Sequence, residues 1–156
     1  MGKSMNFLKN FGFVLKQMEH KDLEDDFFDS FKIDYPEFEN WFIKKIKQND
    51  QAFYFFDKNK IIGFIKLKKE IDSNIGLEKE TVLKICSYKL LNESTPFANN
   101  AFYEIFNFSK KNNIKYVYAT VYKKHVSLVN KMLKLGFENT GKNNKKELIL
   151  VKKIYL

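Results

Sequence analysis

The chain has 156 residues, of which 44% are hydrophobic and 17% aromatic, enough to bury the core of one domain. All 28 basic residues are lysine, and with 19 acidic residues they give a net charge of +9. Because arginine supplies the bidentate guanidinium with which groove-reading proteins bind bases, its absence argues against a nucleic-acid-binding protein.

The charge is divided unevenly along the chain. Residues 1–78 hold 13 Lys against 14 Asp and Glu, a balance of −1, whereas residues 79–156 hold 15 Lys against 5 Glu, a balance of +10. Two interpretations stay open: the C-terminal half faces an anionic ligand, or its lysines form solvated faces.

Cysteine content and hydropathy indicate the compartment. The single cysteine, Cys86, lies in an apolar run and has no partner for an internal disulfide, as expected in the reducing cytoplasm. No apolar run approaches the ~20 residues that span a bilayer, and no signal-peptide core is present, so we expect no membrane contact. Residues 1–5 are interpreted as an extension or a cloning remnant.

The N-terminal half is predicted to begin with a strand over 11–19. Helical spacing of apolar residues predicts a helix over 20–31, and Pro36 opens a second helix with Phe38, Trp41, Phe42 and Ile46 on one face. A hairpin over 51–70 and a polar loop over 71–81 follow.

The C-terminal half alternates strands and helices. A strand is predicted over 82–91, a helix from Pro96 to about Asn112, a strand over 114–122, a helix over 125–136 with Gly136 as its C′ residue, and a final hairpin. Three successive antiparallel strands next to strand–helix–strand units predict an α/β fold with a mixed sheet. We expect a single domain over 1–156, because the sequence has neither repeats nor a linker.

This element order and three sequence segments resemble the GNAT superfamily of acetyl-coenzyme A-dependent acetyltransferases. The segments are "YPEFENWFIKKIKQND" at 35–50, "KICSYKLLNE" at 84–93, and the spacing of Lys124, His125, Leu128, Met132 and Gly136-Phe137. The resemblance implies a mostly antiparallel twisted sheet of six or seven strands with about four helices. It also implies an N-acetyltransferase that acts on a primary amine of a small molecule, peptide or protein. The alternative is a catalytically silent domain of this fold that binds a ligand or partner.

The cofactor loop of the family would fall between the fourth strand and the next helix. Its six places are Glu93, Ser94, Thr95, Pro96, Phe97 and Ala98, with proline where the family has glycine. Because proline removes one backbone N–H, the loop has fewer donors for pyrophosphate. Ser94 or Thr95 as N-cap followed by proline is nevertheless a well-formed helix start. The loop is therefore either a cofactor site or only a helix cap.

The resemblance also implies roles for residues around the fourth and fifth strands. Ser87, Tyr88, Lys89 and Leu90 would bind pantetheine through their backbone. His125 would contact the cofactor or assist proton transfer; the alternative is a histidine that only caps or packs. Met132 stands where many members have a tyrosine acid, so that role cannot be carried over, and Tyr88 and Tyr122 are hydroxyls that could equally be core.

The acceptor and partners are less specified. Five acidic residues lie on the segment that borders the acceptor site in the family; they would suit a cationic amine, or form a solvated helix face: Asp22, Glu24, Asp25, Asp26 and Asp29. No His/Cys cluster supports a metal site. Many members pair through edge strands or helices, so a homodimer is left open.

Overall fold

The computed structural model describes residues 6–71, 80–91 and 96–155, with the backbone alone for 96–99. Seven strands form one sheet in the order β1-β2-β3-β4-β5-β7-β6. They are β1 (Val14–Gln17), β2 (Gln51–Asp57), β3 (Lys60–Ile71), β4 (Thr81–Leu90), β5 (Tyr116–Val121), β6 (Glu138–Lys142) and β7 (Leu148–Lys153). The α-helices within the described ranges are α1 (Asp29–Asp34), α2 (Phe38–Lys47), α3 (Pro96–Lys111) and α4 (Val126–Lys134).

The sheet is mixed, as predicted. The pairs β1–β2, β2–β3, β5–β7 and β6–β7 are antiparallel, whereas β4–β5 is parallel. The order of strands and helices also follows the predicted one, with three successive strands between α2 and α3. The α/β class predicted from the sequence is confirmed.

Two compact units make up the chain. The first unit comprises Met1–Lys66 and Ser87–Ala101, and the second comprises Leu67–Cys86 and Phe102–Leu156. Strands β3 and β4 contribute residues to each unit. The single domain over 1–156 stays a prediction.

An aromatic cluster forms the core of the first unit. The ring of Phe28 is fully buried, with centroids 5.0 Å from Phe64, 5.1 Å from Phe27 and 5.4 Å from Phe42. Helix α2 contributes Phe42 and Phe38 from one face, as the i, i+4 spacing predicts. Such ring pairs add to the free energy of burial.

The predicted helix over 20–31 is broken, and this prediction was wrong in its continuity. The segment consists of 3-10 turns at His20–Glu24 and Asp26–Phe28, followed by α1. The break falls at Asp25, whose backbone is extended (φ −72°, ψ 130°). Its carboxylate accepts hydrogen bonds from the N–H of Phe27 at 2.9 Å and of Ile61 at 3.1 Å. Asp25 therefore acts as a cap inside the segment, and helical spacing alone could not indicate this.

In the second unit, α3 and α4 lie on one face of the strands. The side chain of Lys152 on β7 points to this face, since its ammonium lies 5.3 Å from the ring centroid of Phe106 on α3. Gly136, which follows α4, has φ +97°, and an added Cβ would lie 2.5 Å from the Lys152 Nζ. The predicted C′ glycine is thus required by its backbone conformation, whereas the flexible Lys152 side chain could move to admit a Cβ.

Candidate functional site

The parallel ladder between β4 and β5 is short. Its register pairs are Val82 with Tyr116, Leu83 with Val117, and Lys84 with Tyr118. Strand β4 stays extended to Leu90, and β5 continues in register with β7 to Val121. We call the point after Lys84 and Tyr118, where the ladder ends, the β4–β5 fork. Full-length pairing, which would have contradicted the resemblance, is not observed between these two described strands.

The residues predicted to bind pantetheine follow one another on β4 within the first unit: Ser87, Tyr88, Lys89 and Leu90. The Lys89 ammonium donates to the carbonyl of Phe27 at 2.6 Å and to Ser30 Oγ at 2.9 Å. The side chain of Leu90 is buried and lies where a Cβ on Gly63 would meet it at 2.6 Å. Lys89 and Leu90 therefore use their side chains in packing.

The predicted cofactor loop is only partly described. Glu93, Ser94 and Thr95 lie outside the described residues, and Phe97 and Ala98 are described by their backbone alone. Helix α3 begins at Pro96 and runs for 16 residues. The helix start predicted at this proline is confirmed.

His125 precedes α4 in the second unit. Its carbonyl accepts from the Val129 N–H at 3.0 Å, its N–H donates to the Tyr122 carbonyl at 3.0 Å, and its ring centroid lies 6.4 Å from that of Tyr122. Its side chain makes no hydrogen bond that caps the helix. Met132 is buried in the core, and its thioether side chain offers no hydroxyl at this position.

Solved structures of other proteins share the overall path of this chain. A Desulfovibrio desulfuricans protein assigned to the GNAT family of acetyltransferases matches with a TM-score of 0.64, 9% identity, and coverage of 92% of this chain and 99% of that chain. The PaiA N-acetyltransferase of Thermoplasma acidophilum, solved with coenzyme A, matches with a TM-score of 0.57, 17% identity, and coverage of 90% and 98%. The chain has the GNAT acetyltransferase fold. PH1933 of Pyrococcus horikoshii OT3 also shares it, with a TM-score of 0.63, 16% identity, and coverage of 92% and 99%.

At these identities the comparisons show the GNAT fold and not the substrate. No protein-family model matches the sequence, and no curated protein matches it. The predicted site residues of this GNAT fold therefore remain proposals.

The acidic segment differs from its predicted role. Asp22 is 5% exposed, and its carboxylate accepts hydrogen bonds from the Tyr54 hydroxyl at 2.6 Å, the Lys16 ammonium at 3.0 Å and the Glu19 N–H at 2.9 Å. Asp25 is the internal cap described above. Two of the five carboxylates thus hold the first unit together and are neither a solvated face nor an acceptor site. The exposed ones are Glu24, Asp26 and Asp29.

This network makes the free energy of unfolding decrease as the pH rises in the alkaline range. Burial, and secondly the hydrogen bond to Asp22, raises the pKa of Tyr54 far above its ordinary value of 10.0. A raised pKa in the folded state gives stability that is fully present below about pH 10 and is lost at ~1.4 kcal/mol per pH unit above it, since only the unfolded chain ionises there.

We expect the stability difference between wild type and Tyr54→Phe to be constant from pH 7 to 9 and to fall by ~1.4 kcal/mol per pH unit above 10. Urea unfolding at pH 8, 10 and 11 measures it. Tyr155→Phe, at an exposed tyrosine, is the control. A difference that does not change with pH would show that Tyr54 ionises equally in both states.

A tyrosine–glutamate pair in the second unit was missed by the sequence analysis. The Tyr118 hydroxyl donates to Glu70 Oε1 at 2.5 Å, and Tyr118 is 4% exposed. Burial, and secondly this hydrogen bond, raises the pKa of Tyr118. The alternation of β5 puts Tyr116 and Tyr118 on one face, but no local pattern links Tyr118 to Glu70 on β3.

Two further site types find no support in the part of the chain that the structure describes. Its His, Cys, Asp and Glu residues form no group of three or more that could hold a metal ion. None of its helices has the length and apolar character needed to cross a bilayer.

Proposed function

We propose that the protein is an acetyl-coenzyme A-dependent N-acetyltransferase whose acceptor is a primary amine of a small molecule, peptide or protein. The observation that carries this proposal is the β4–β5 fork. Because β4 stays extended beyond Lys84 and pairs with β3 along one edge, alternate residues among Ser87, Tyr88, Lys89 and Leu90 direct their N–H and carbonyl groups away from β3, at the spacing of a strand. Such groups suit the amides of a pantetheine arm.

The pyrophosphate is proposed to bind at the start of α3. The N-terminus of a 16-residue helix carries a partial positive charge and N–H groups that point out of the helix, here those of Phe97 and Ala98. Ser94 and Thr95 would add hydroxyl donors, and Glu93 would precede them as the first loop position. The proline at 96 leaves this loop with fewer N–H donors than a glycine loop, so we expect weaker binding than such a loop gives.

The net charge of the two units differs. Over the second unit's ranges the sequence has 16 Lys and 7 Asp or Glu, a balance of +9, whereas the first unit has 12 of each, a balance of zero. The proposed phosphate contacts at Ser94, Thr95, Phe97 and Ala98 belong to the neutral first unit, so their attraction for pyrophosphate comes from the helix N-terminus and the hydroxyl donors and not from net charge.

Acetyl transfer needs an unprotonated amine at the thioester carbonyl and a proton for the departing sulfur. His125 is the proposed proton carrier and a cofactor contact, since imidazole is the side chain that ordinarily exchanges a proton near neutral pH. Its position at the start of α4, beside Tyr122, is set by two backbone hydrogen bonds.

The cofactor loop can be tested by coenzyme A affinity. Replacing both hydroxyls, Ser94→Ala with Thr95→Ala, is expected to weaken binding by ~1–3 kcal/mol, because each hydrogen bond to a charged group contributes ~1 kcal/mol or more. Pro96→Gly restores an N–H and is expected to tighten binding while slightly destabilising the helix start. Isothermal titration calorimetry measures all three proteins.

Thr140→Ala is the matched control for this series, because Thr140 is an exposed hydroxyl residue on β6. Its coenzyme A affinity should equal that of wild type. Equal affinity in wild type, the double alanine variant and Pro96→Gly, or binding by none of them, would show that the loop is only a helix cap.

A further inference from the structure

The Glu70–Tyr118 pair lies on the face of the second unit's strands away from α3 and α4. Lys152, whose ammonium lies over Phe106 of α3, is registered with Val117. Successive strand residues point to opposite faces, so Tyr118 points away from these helices. The Tyr118 hydroxyl therefore lies outside the core that α3 and α4 cover. Inside that core a phenylalanine would pack as well as a tyrosine.

The pair also lies at the fork. Tyr118 forms the last registered pair of β4 and β5 with Lys84, and the Lys84 ammonium lies 5.8 Å from the centroid of the Tyr118 ring. The Tyr118 hydroxyl orients Oε1 of Glu70, since a hydrogen bond to a carboxylate is charge-assisted. Tyr118 thus holds the Glu70 carboxylate in one orientation.

The other oxygen of this carboxylate already meets an alkylammonium group. The Lys68 Nζ lies 3.6 Å from Glu70 Oε2, and the Lys68 side chain is 52% exposed. An ion pair that is this exposed contributes only about 0–1 kcal/mol, so another ammonium could replace it at little cost.

We infer that Glu70 binds the ammonium group of the acceptor, with Tyr118 as the residue that positions its carboxylate and Lys68 as the group displaced. The bound ammonium gives one proton to His125, the proposed proton carrier, before the neutral amine attacks the thioester carbonyl. The inference rests on the proposed function and deepens it by naming the substrate class. Two lysine ammoniums, Lys68 and Lys84, lie beside this single pair of Glu70 and Tyr118. These two ammoniums would repel a second cation on the acceptor and attract an anionic group. The acceptor is therefore a primary alkylamine that carries an anionic group.

Three four-carbon amines separate the charge types: 4-aminobutyrate with one ammonium and one carboxylate, n-butylamine with one ammonium, and 1,4-diaminobutane with two. We expect wild type to acetylate them with kcat/KM in that descending order. Glu70→Gln should raise KM for the amine roughly 10- to 100-fold, since the carboxylate charge that pairs with the ammonium is lost although an acceptor oxygen stays, and Tyr118→Phe should raise it less. Neither variant should change the affinity for acetyl-coenzyme A.

Lys68→Ala gives a readout that a merely structural role would not change. Removal of the competing ammonium should lower KM for n-butylamine. The control is Lys69→Ala, which removes the same charge from the neighbouring exposed residue on the opposite face of β3 and should leave this KM unchanged. Both lysines are exposed, so neither variant is expected to unfold the chain.

The outcomes distinguish this inference from the proposed function. Suppose that wild type binds acetyl-coenzyme A. If Glu70→Gln then acetylates the three amines as well as wild type does, or if neither protein acetylates any of them, the inference is overturned and the cofactor proposal stands. If wild type neither binds acetyl-coenzyme A nor releases its thiol, the proposed function itself fails. A preference for 1,4-diaminobutane would overturn the assigned charge type.

Discussion

Phe28→Ala is expected to lower the free energy of unfolding by ~3–5 kcal/mol, the range measured for buried aromatic residues truncated to alanine. The Phe28 ring is fully buried and lies within 5.4 Å, between centroids, of Phe27, Phe42 and Phe64. Its removal leaves a cavity among rigid rings, which cannot collapse to fill the space. Urea unfolding followed by tryptophan fluorescence measures the loss, since Trp41 packs against this cluster.

Phe56→Ala is the matched control. Phe56 is 36% exposed, and among the described aromatic pairs it stacks on Tyr54 with centroids 5.8 Å apart. We expect a loss below ~1.5 kcal/mol, the upper range for one aromatic pair. Equal losses in the two variants would contradict the assignment of Phe28 to the centre of the first unit's core.

Asp22→Ala is expected to cost ~3–5 kcal/mol, because it removes the acceptor shared by Tyr54, Lys16 and the Glu19 N–H. The Tyr54 hydroxyl would then be buried without that carboxylate, and a polar group left unsatisfied in the interior is costly. Asp22→Asn keeps an acceptor oxygen and should lie between alanine and wild type.

The neighbouring exposed carboxylate provides the comparison. Glu24→Ala is expected to change stability by no more than ~0.5 kcal/mol, as surface substitutions usually do. Chemical unfolding at pH 7 measures all three variants. If Asp22→Ala were as mild as Glu24→Ala, Asp22 would have to be a solvated surface residue, and the structural role assigned to it would be wrong.

Local patterns predicted the elements whose boundaries depend on local chemistry. Helix α3 begins at Pro96 and α4 is followed by Gly136 in the left-handed region, because a proline in the first turn and a C′ glycine each fit a requirement of the adjacent backbone. The buried face of α2 followed from the spacing of Phe38 and Phe42 in the same way.

Contacts between distant residues explain what sequence patterns missed. The break in the segment 20–31 depends on Asp25 accepting from Ile61, and the burial of Asp22 depends on Tyr54. Glu70 and Tyr118 are 48 residues apart in the chain. No periodicity within one segment carries such information, so the acidic segment was interpreted from charge alone.

The sequence resemblance correctly predicted the GNAT fold, and it located the candidate cofactor strand on β4. It could not decide whether a loop with proline in place of glycine still holds a pyrophosphate, because that depends on a few N–H and hydroxyl donors. Glu93, Ser94 and Thr95 also lie outside the described residues. Coenzyme A affinity and acetyl-transfer turnover are therefore the measurements that decide whether this loop holds a pyrophosphate.

The most direct test of acetyl transfer is the release of free coenzyme A thiol from acetyl-coenzyme A by the wild-type protein, with and without primary amines. We expect thiol release that depends on the amine, saturates with acetyl-coenzyme A, and is matched by one acetylated amine per thiol in mass spectrometry. We also expect acetyl-coenzyme A at ~100 times its Kd to stabilise the protein by about 2.7 kcal/mol. No thiol release above the rate without protein, together with no stabilisation at millimolar acetyl-coenzyme A, would contradict the proposed function.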